Sequence, residues 1–174
     1  QDSAVQAMNV SLVIMGVSGC GKSSLAAAVA AAERRVLIEG DDHHTELSRE
    51  KMRAGVPLTD ADRAGWLAKL AQELRAHPEG CVLTCSALRL SYRERLRSAS
   101  PGLRFAFLDI TPEEAQARVA ARSAHFFSPS LVDNQFATLE SPLGEPGVLR
   151  LDATAPLSQL QAEVSAWLHA EEVA

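Results

Sequence analysis

Short apolar runs alternate with segments of helical periodicity along the whole chain. Runs at residues 10–15, 35–40, 81–85, 103–110 and 148–151 have strand length, and between them apolar residues recur at spacings of three and four. This alternation predicts a five-stranded parallel sheet with helices on both faces. Helices are expected at 25–32 and 46–54, and a long one after Thr59, whose Ala64, Leu67, Leu70, Ala71 and Leu74 form the buried stripe. Thr59-x-x-Asp62 reads as a capping box for that helix, and His77-Pro78-Glu79-Gly80 stops it. Trp66 falls beside the stripe, in a position to line a cleft or to cover the edge of the core.

Ser86-Ala87-Leu88 is expected to open the next helix, with Leu88, Tyr92 and Leu96 on one face and Arg89, Arg93 and Arg97 on another. Thr111-Pro112-Glu113-Glu114 is a helix start with a capping threonine, a proline at the first helical position and an acid three residues past the cap. That helix carries Arg118 and Arg122 into a loop at 123–130, followed by a short helix at 131–139 and a turn-rich run to Gly147. Leu157, Leu160, Val164, Trp167 and Leu168 mark the stripe of the last helix. No repeat or linker interrupts the pattern, so residues 8–174 read as one domain.

The chemistry concentrates where the first strand ends. Gly16 to Ser23 fits G-x-x-x-x-G-K-[ST], the glycine-rich loop that turns a strand into a helix and cradles phosphate, and its flanks have that character here. Gly16, Gly19 and Gly21 let the backbone approach an anion closely, so that N–H groups of Val17, Ser18, Cys20 and Ser24 as well can face phosphate oxygens. The following helix adds its N-terminal dipole. Lys22 is expected on the β and γ phosphates of a nucleotide, and the Ser23 hydroxyl on a Mg²⁺ ion bridging them. The fold class is therefore α/β of the P-loop NTPase type, and the guanine-reading Asn-Lys-x-Asp pattern is absent, which favours ATP.

Composition narrows the class. With 174 residues, 47% hydrophobic and 22% charged, the chain suits one globular domain. A net charge of −5 with no basic run argues against a nucleic-acid or acidic-membrane partner. Cys20, Cys81 and Cys85 give no disulfide framework and lack zinc-ligand spacing, and the last two sit in an apolar strand as small hydrophobes. The first nine residues have neither Lys nor Arg nor an apolar stretch, so no secretory signal is expected and the protein is expected to be cytoplasmic. Met8 is read as the natural start, with residues 1–7 disordered or a remnant of expression.

A kinase needs cations on the transferred group and a carboxylate to orient the acceptor. Arg118 and Arg122, one turn apart, would repel unless an anion lies between them, and their helix runs into a polar and aromatic loop as a closing lid would; a solvated face with Glu114 paired to Arg118 is the alternative. Asp41, just past the second strand, is the candidate for the acceptor-orienting carboxylate, set against a role as a turn or cap residue. Arg93 and His125 are candidates for holding an anionic substrate. No acid ends the third strand, so Asp41 is also a candidate for the metal, directly or through its second shell.

Several separate stretches resemble the gluconate kinases of the P-loop kinase superfamily: residues 15–24 (MGVSGCGKSS), 39–43 (EGDDH), 51–66 (KMRAGVPLTDADRAGW), 85–97 (CSALRLSYRERLR) and 122–140 (RSAHFFSPSLVDNQFATLE). The resemblance implies ATP-dependent phosphorylation of D-gluconate at its 6-hydroxyl, a helical lid and a homodimer. It carries over Asp41, His43, Arg63, Arg93 and His125 as substrate-binding residues; the catalytic candidates read from the residues are Lys22, Asp41 and Arg122. The chain departs from the family pattern in having His43-His44 where His-Pro is usual, Arg89 where lysine is usual, and Asn134 before Gln135 where serine is common. Alternatives are a related kinase for shikimate, a nucleotide or another sugar acid, or a nucleotide-binding regulatory module. The Gly-Gly segment expected of a shikimate kinase is absent.

Overall fold

The computed structural model describes residues 10–121 and 129–173. Among them, five strands form one parallel sheet: β1 (Leu12–Met15), β2 (Val36–Glu39), β3 (Cys81–Thr84), β4 (Arg104–Asp109) and β5 (Val148–Asp152), in the order β2-β3-β1-β4-β5. Seven α-helices accompany them: α1 (Lys22–Glu33), α2 (Glu46–Arg53), α3 (Asp60–Ala76), α4 (Leu90–Ala99), α5 (Pro112–Ala121), α6 (Pro129–Thr138) and α7 (Leu157–Val173).

The strands are buried on both faces, which is why they read as continuous apolar runs. Side chains of a strand alternate between faces, so Leu12 and Ile14 join Ala106 and Leu108 against α1, α5 and α7, through Leu25, Val29, Ala115, Leu160 and Val164. Val13 and Met15 join Leu83, Phe105 and Phe107 on the other face, against Leu67, Leu70 and Leu74 of α3 and Leu96 of α4. The two halves of the core are built from neighbouring residues of the same strands.

The predicted starts of α3 and α5 hold. Thr59 Oγ1 accepts the Asp62 N–H and the Asp62 carboxylate accepts the Thr59 N–H, while Thr111 Oγ1 accepts the Glu114 N–H. The hydrogen bond from Lys51, at 2.8 Å, and that from the Thr59 N–H hold the Asp62 carboxyl down at about 2. The fourth helix is a correction: α4 begins at Leu90, and Ser86-Ala87-Leu88 is not helical. Ala87 sits at φ 49°, in the left-handed region, and the Ala87 and Leu88 carbonyls are taken by the Arg93 guanidinium and the Glu140 N–H, partners far from a helical register. All three cysteines are buried and unpaired, and burial pushes the Cys85 thiol up to about 12, as expected of hydrophobic cysteines.

The order of strands places the site. From β1 the chain moves outward to β2, returns to β3 and crosses to β4 on the far side, so β1 is where the winding reverses. Ligands of open α/β sheets bind beyond the carboxyl ends of the strands at such a point. The loop after β1 and the turn after β2 both open there.

Candidate active site

Residues 16–21 wrap from the end of β1 into α1. Gly16, Gly19 and Gly21 have φ of 147°, 86° and 97°, which other residues adopt only with strain. A Cβ on Gly16 would lie 2.7 Å from Cys20 Sγ, and one on Gly19 would lie 2.9 Å from the Ala115 carbonyl oxygen. The Cys20 side chain is thus packing beneath the loop, leaving its backbone to the cradle. Lys22 Nζ donates to the Gly16 and Val17 carbonyls at 3.0 and 3.2 Å, folded over the loop it belongs to.

A cleft of about 410 Å³ opens from this loop. Ser18, Lys22, Ser23 and Ser24 line it together with Asp41, His44, Arg63 and Trp66. Met52, Pro57 and Leu58 supply apolar lining. Trp66 does both things its position allowed: it is buried in the core cluster of the second face and borders the cleft. Its Nε1 donates to the Gly40 carbonyl at 2.7 Å.

Asp41 belongs to a short 3₁₀ turn, Gly40–His43, at the end of β2. Burial pushes its carboxyl up, but the neighbouring His44 ring and the charges of Lys22 and Arg49 outweigh this and hold it below the usual carboxylate range. It is an ionised acceptor facing the cleft. Gly40 makes the turn possible, because a Cβ there would lie 2.0 Å from the Thr84 carbonyl oxygen. Gly40→Ala is therefore expected to cost about 2 kcal/mol or more, read as a lower denaturation midpoint; an unchanged midpoint would show that the β2 and β3 ends can separate freely.

Glu39 is the residue the sequence reading missed. Ser23 Oγ donates to Glu39 Oε2 at 3.1 Å, and Thr84 Oγ1 donates to the same oxygen at 2.8 Å. Parallel pairing sets Glu39 beside Thr84, and Thr84 beside Ile14, so an acid on β2 lies next to the place on β3 where none was found. Two hard oxygen donors, Ser23 and Glu39, suit Mg²⁺, which takes few protein oxygens and keeps waters and phosphate. A strand-end glutamate ahead of Gly40 was the available signal.

The comparisons agree with this geometry. A family model described as an AAA domain matches residues 12–142. A gluconokinase of Gluconobacter oxydans is 44% identical over 143 residues, covering 80% of each chain. The thermoresistant gluconokinase of Escherichia coli is 38% identical over 154 residues, covering 86% of this chain and 88% of that one. The crystal structure of a gluconokinase from Sinorhizobium meliloti superposes with a TM-score of 0.86 at 42% identity, covering 93% of both chains. The chain belongs to the gluconokinase family.

As a gluconokinase-family kinase, it brings some of its expected site residues together and not others. Lys22, Ser23, Asp41 and Arg63 meet at the cleft. Arg118 reaches the loop instead of pairing with Glu114: its guanidinium donates to the Gly19, Cys20 and Ala153 carbonyls, at 3.4, 3.2 and 2.9 Å. His44 rather than His43 borders the cleft, because the 3₁₀ turn directs the second histidine inward.

Arg93 is a correction. Its guanidinium is fully buried, donates to both Glu145 carboxylate oxygens at 3.0 and 2.7 Å, and also bonds the Ala87 and Glu140 carbonyls. It secures the cleft wall at 86–88 from inside the fold and is not free to hold a substrate. Arg122 and His125, and with them most of the expected lid, lie outside the described residues. Gln135 of α6 enters the site unforeseen, its Oε1 accepting the Ser18 N–H of the phosphate loop at 2.6 Å.

Proposed function

We propose that this family member transfers the γ-phosphoryl group of ATP to the 6-hydroxyl of D-gluconate, giving 6-phospho-D-gluconate and ADP. The observation that carries the reading is a cleft shared by the phosphate loop with a carboxylate and a guanidinium, Asp41 and Arg63. The triphosphate lies against the backbone N–H groups of the loop, and Lys22 leaves the Gly16 and Val17 carbonyls for the β and γ oxygens. Arg63 pairs with the gluconate carboxylate, and Asp41 accepts the hydrogen bond of the 6-hydroxyl and aims it at phosphorus. The acceptor oxygen bonds to phosphorus as the bond to the β–γ bridging oxygen breaks, and the hydroxyl proton passes to Asp41 and on to water. A carboxylate held below its usual range is a weak base, which suffices because a loose phosphoryl transfer asks for positioning more than for proton abstraction.

Ser23 and Glu39 are the residues that would hold Mg²⁺, which would supply charge neutralisation on the transferred phosphates when bound. Arg122 and His125 belong to this proposal as lid residues for the phosphates and the acceptor, and so do a homodimer and a cytoplasmic setting. Among the described residues no helix is long and apolar enough to cross a membrane.

The test is acceptor dependence. Purified protein with ATP is expected to release ADP only when gluconate is added, and ADP release indifferent to gluconate would overturn the reading. Asp41→Asn, nearly isosteric but uncharged, is expected to lower kcat for gluconate about a hundredfold with little change in KM for ATP. Turnover by that variant at the wild-type rate would remove Asp41 from the mechanism.

A further inference from the structure

We propose that His44 is a positioning residue for Asp41, holding one carboxylate oxygen so that the other is presented to the acceptor hydroxyl. The inference rests on the role given to Asp41 above and adds a residue to it. Half of the Asp41 side-chain surface is open, 55%, so nothing but its polar neighbours selects its rotamer. His44 Nε2 lies 3.6 Å from Asp41 Oδ1. That separation is longer than a formed hydrogen bond, and catalytic hydrogen bonds are often long before substrate binds and tighten afterwards.

The imidazole itself has almost no freedom. Its side chain is 3% exposed, and its ring stacks on Trp66 with centroids 4.3 Å apart and planes 18° from parallel. Trp66 is tied to the Gly40 carbonyl, and the His44 N–H points back to the Asp41 carbonyl at 3.3 Å, so ring and turn form one rigid unit beside the carboxylate. Nδ1 is buried and has no hydrogen-bond partner among the described residues. A buried N–H without a partner costs more than a bare lone pair, so the proton belongs on Nε2, facing Asp41. The histidine is a donor with one fixed direction.

Two measurements test this. Nitrogen-15 spectra of the intact wild-type enzyme at neutral pH are expected to show His44 protonated on Nε2 alone; a proton on Nδ1 alone would overturn the proposal. His44→Phe keeps the stacking on Trp66 and removes the donor, and is expected to lower kcat for gluconate about tenfold with KM for ATP unchanged. His44→Gln, whose amide nitrogen reaches a similar point, is expected to recover most of that loss. Equal activity of the Phe variant and wild type, or a Gln variant no better than the Phe one, would overturn it. Should His44→Phe fail to fold, the spectrum and the Gln variant still decide, with a Gln variant as inactive as Asp41→Asn counting against the proposal. The two readings fail separately: a normal Asp41→Asn enzyme overturns the role of Asp41, whereas an impaired Asp41→Asn enzyme beside a fully active His44→Phe enzyme overturns only that of His44.

Discussion

Replacing Lys22 with alanine is expected to lower kcat on the order of a hundredfold or more while leaving the thermal midpoint almost unchanged. The lysine has no carboxylate partner among the described contacts; it rests on two carbonyls of its own loop. Removing it therefore breaks no ion pair and leaves no buried charge unpaired, so its loss should be felt mainly by the phosphates. During transfer, negative charge spreads over the γ oxygens, and a preplaced ammonium acts in a partly enclosed cleft where it is screened less than in water. Steady-state ADP release with saturating gluconate, compared with a melting curve for the same variant, separates the two effects. Unchanged turnover would remove the phosphate-cradle role of the loop.

Arg93→Ala is expected to do the opposite, costing about 3–5 kcal/mol of stability by breaking a buried ion pair. Glu145 would lose a bidentate partner and keep only Arg97, and the Ala87 and Glu140 carbonyls would lose their donor. The pair also predicts a pH dependence. Burial pushes the Glu145 carboxyl up, yet the hydrogen bonds and charges of Arg93 and Arg97 outweigh it, so the folded-state value lies below the ordinary 4.5. A depressed carboxylate stabilises the fold fully above that ordinary value, and the contribution fades as pH falls through the lower, folded one. Denaturant titrations from neutral pH into acid should show wild type losing more stability than Arg93→Ala. A variant as stable as wild type at neutral pH would return Arg93 to the list of residues free to meet substrate.

What was legible in the sequence was mostly local. The glycine spacing of the phosphate loop, the Thr59 and Thr111 caps and the strand-length apolar runs are each set by a few adjacent residues, and each folds as it reads. The misreadings share another cause. Arg89, Arg93 and Arg97 recur at one spacing, but burial of the middle one depends on Glu145, which lies in the turn-rich run before β5. Glu39 acquires its neighbours Ser23 and Thr84 only through strand register, which an apolar run does not encode. Between His43 and His44, a tight turn and not a strand alternation decides which ring faces inward.

The contact between Gln135 and the Ser18 N–H bears on how a nucleotide would enter. A phosphate oxygen that claims that N–H takes the place of an acceptor already bonded at 2.6 Å, so the event is an exchange and not an addition. Its net gain is only the difference between a charged acceptor and a neutral one, less whatever α6 gives up as the carboxamide lets go. Part of the cradle's affinity is thereby spent on releasing a side chain. A loop arranged in this way holds phosphate less tightly than it would with that N–H unclaimed, and filling it frees the Gln135 carboxamide.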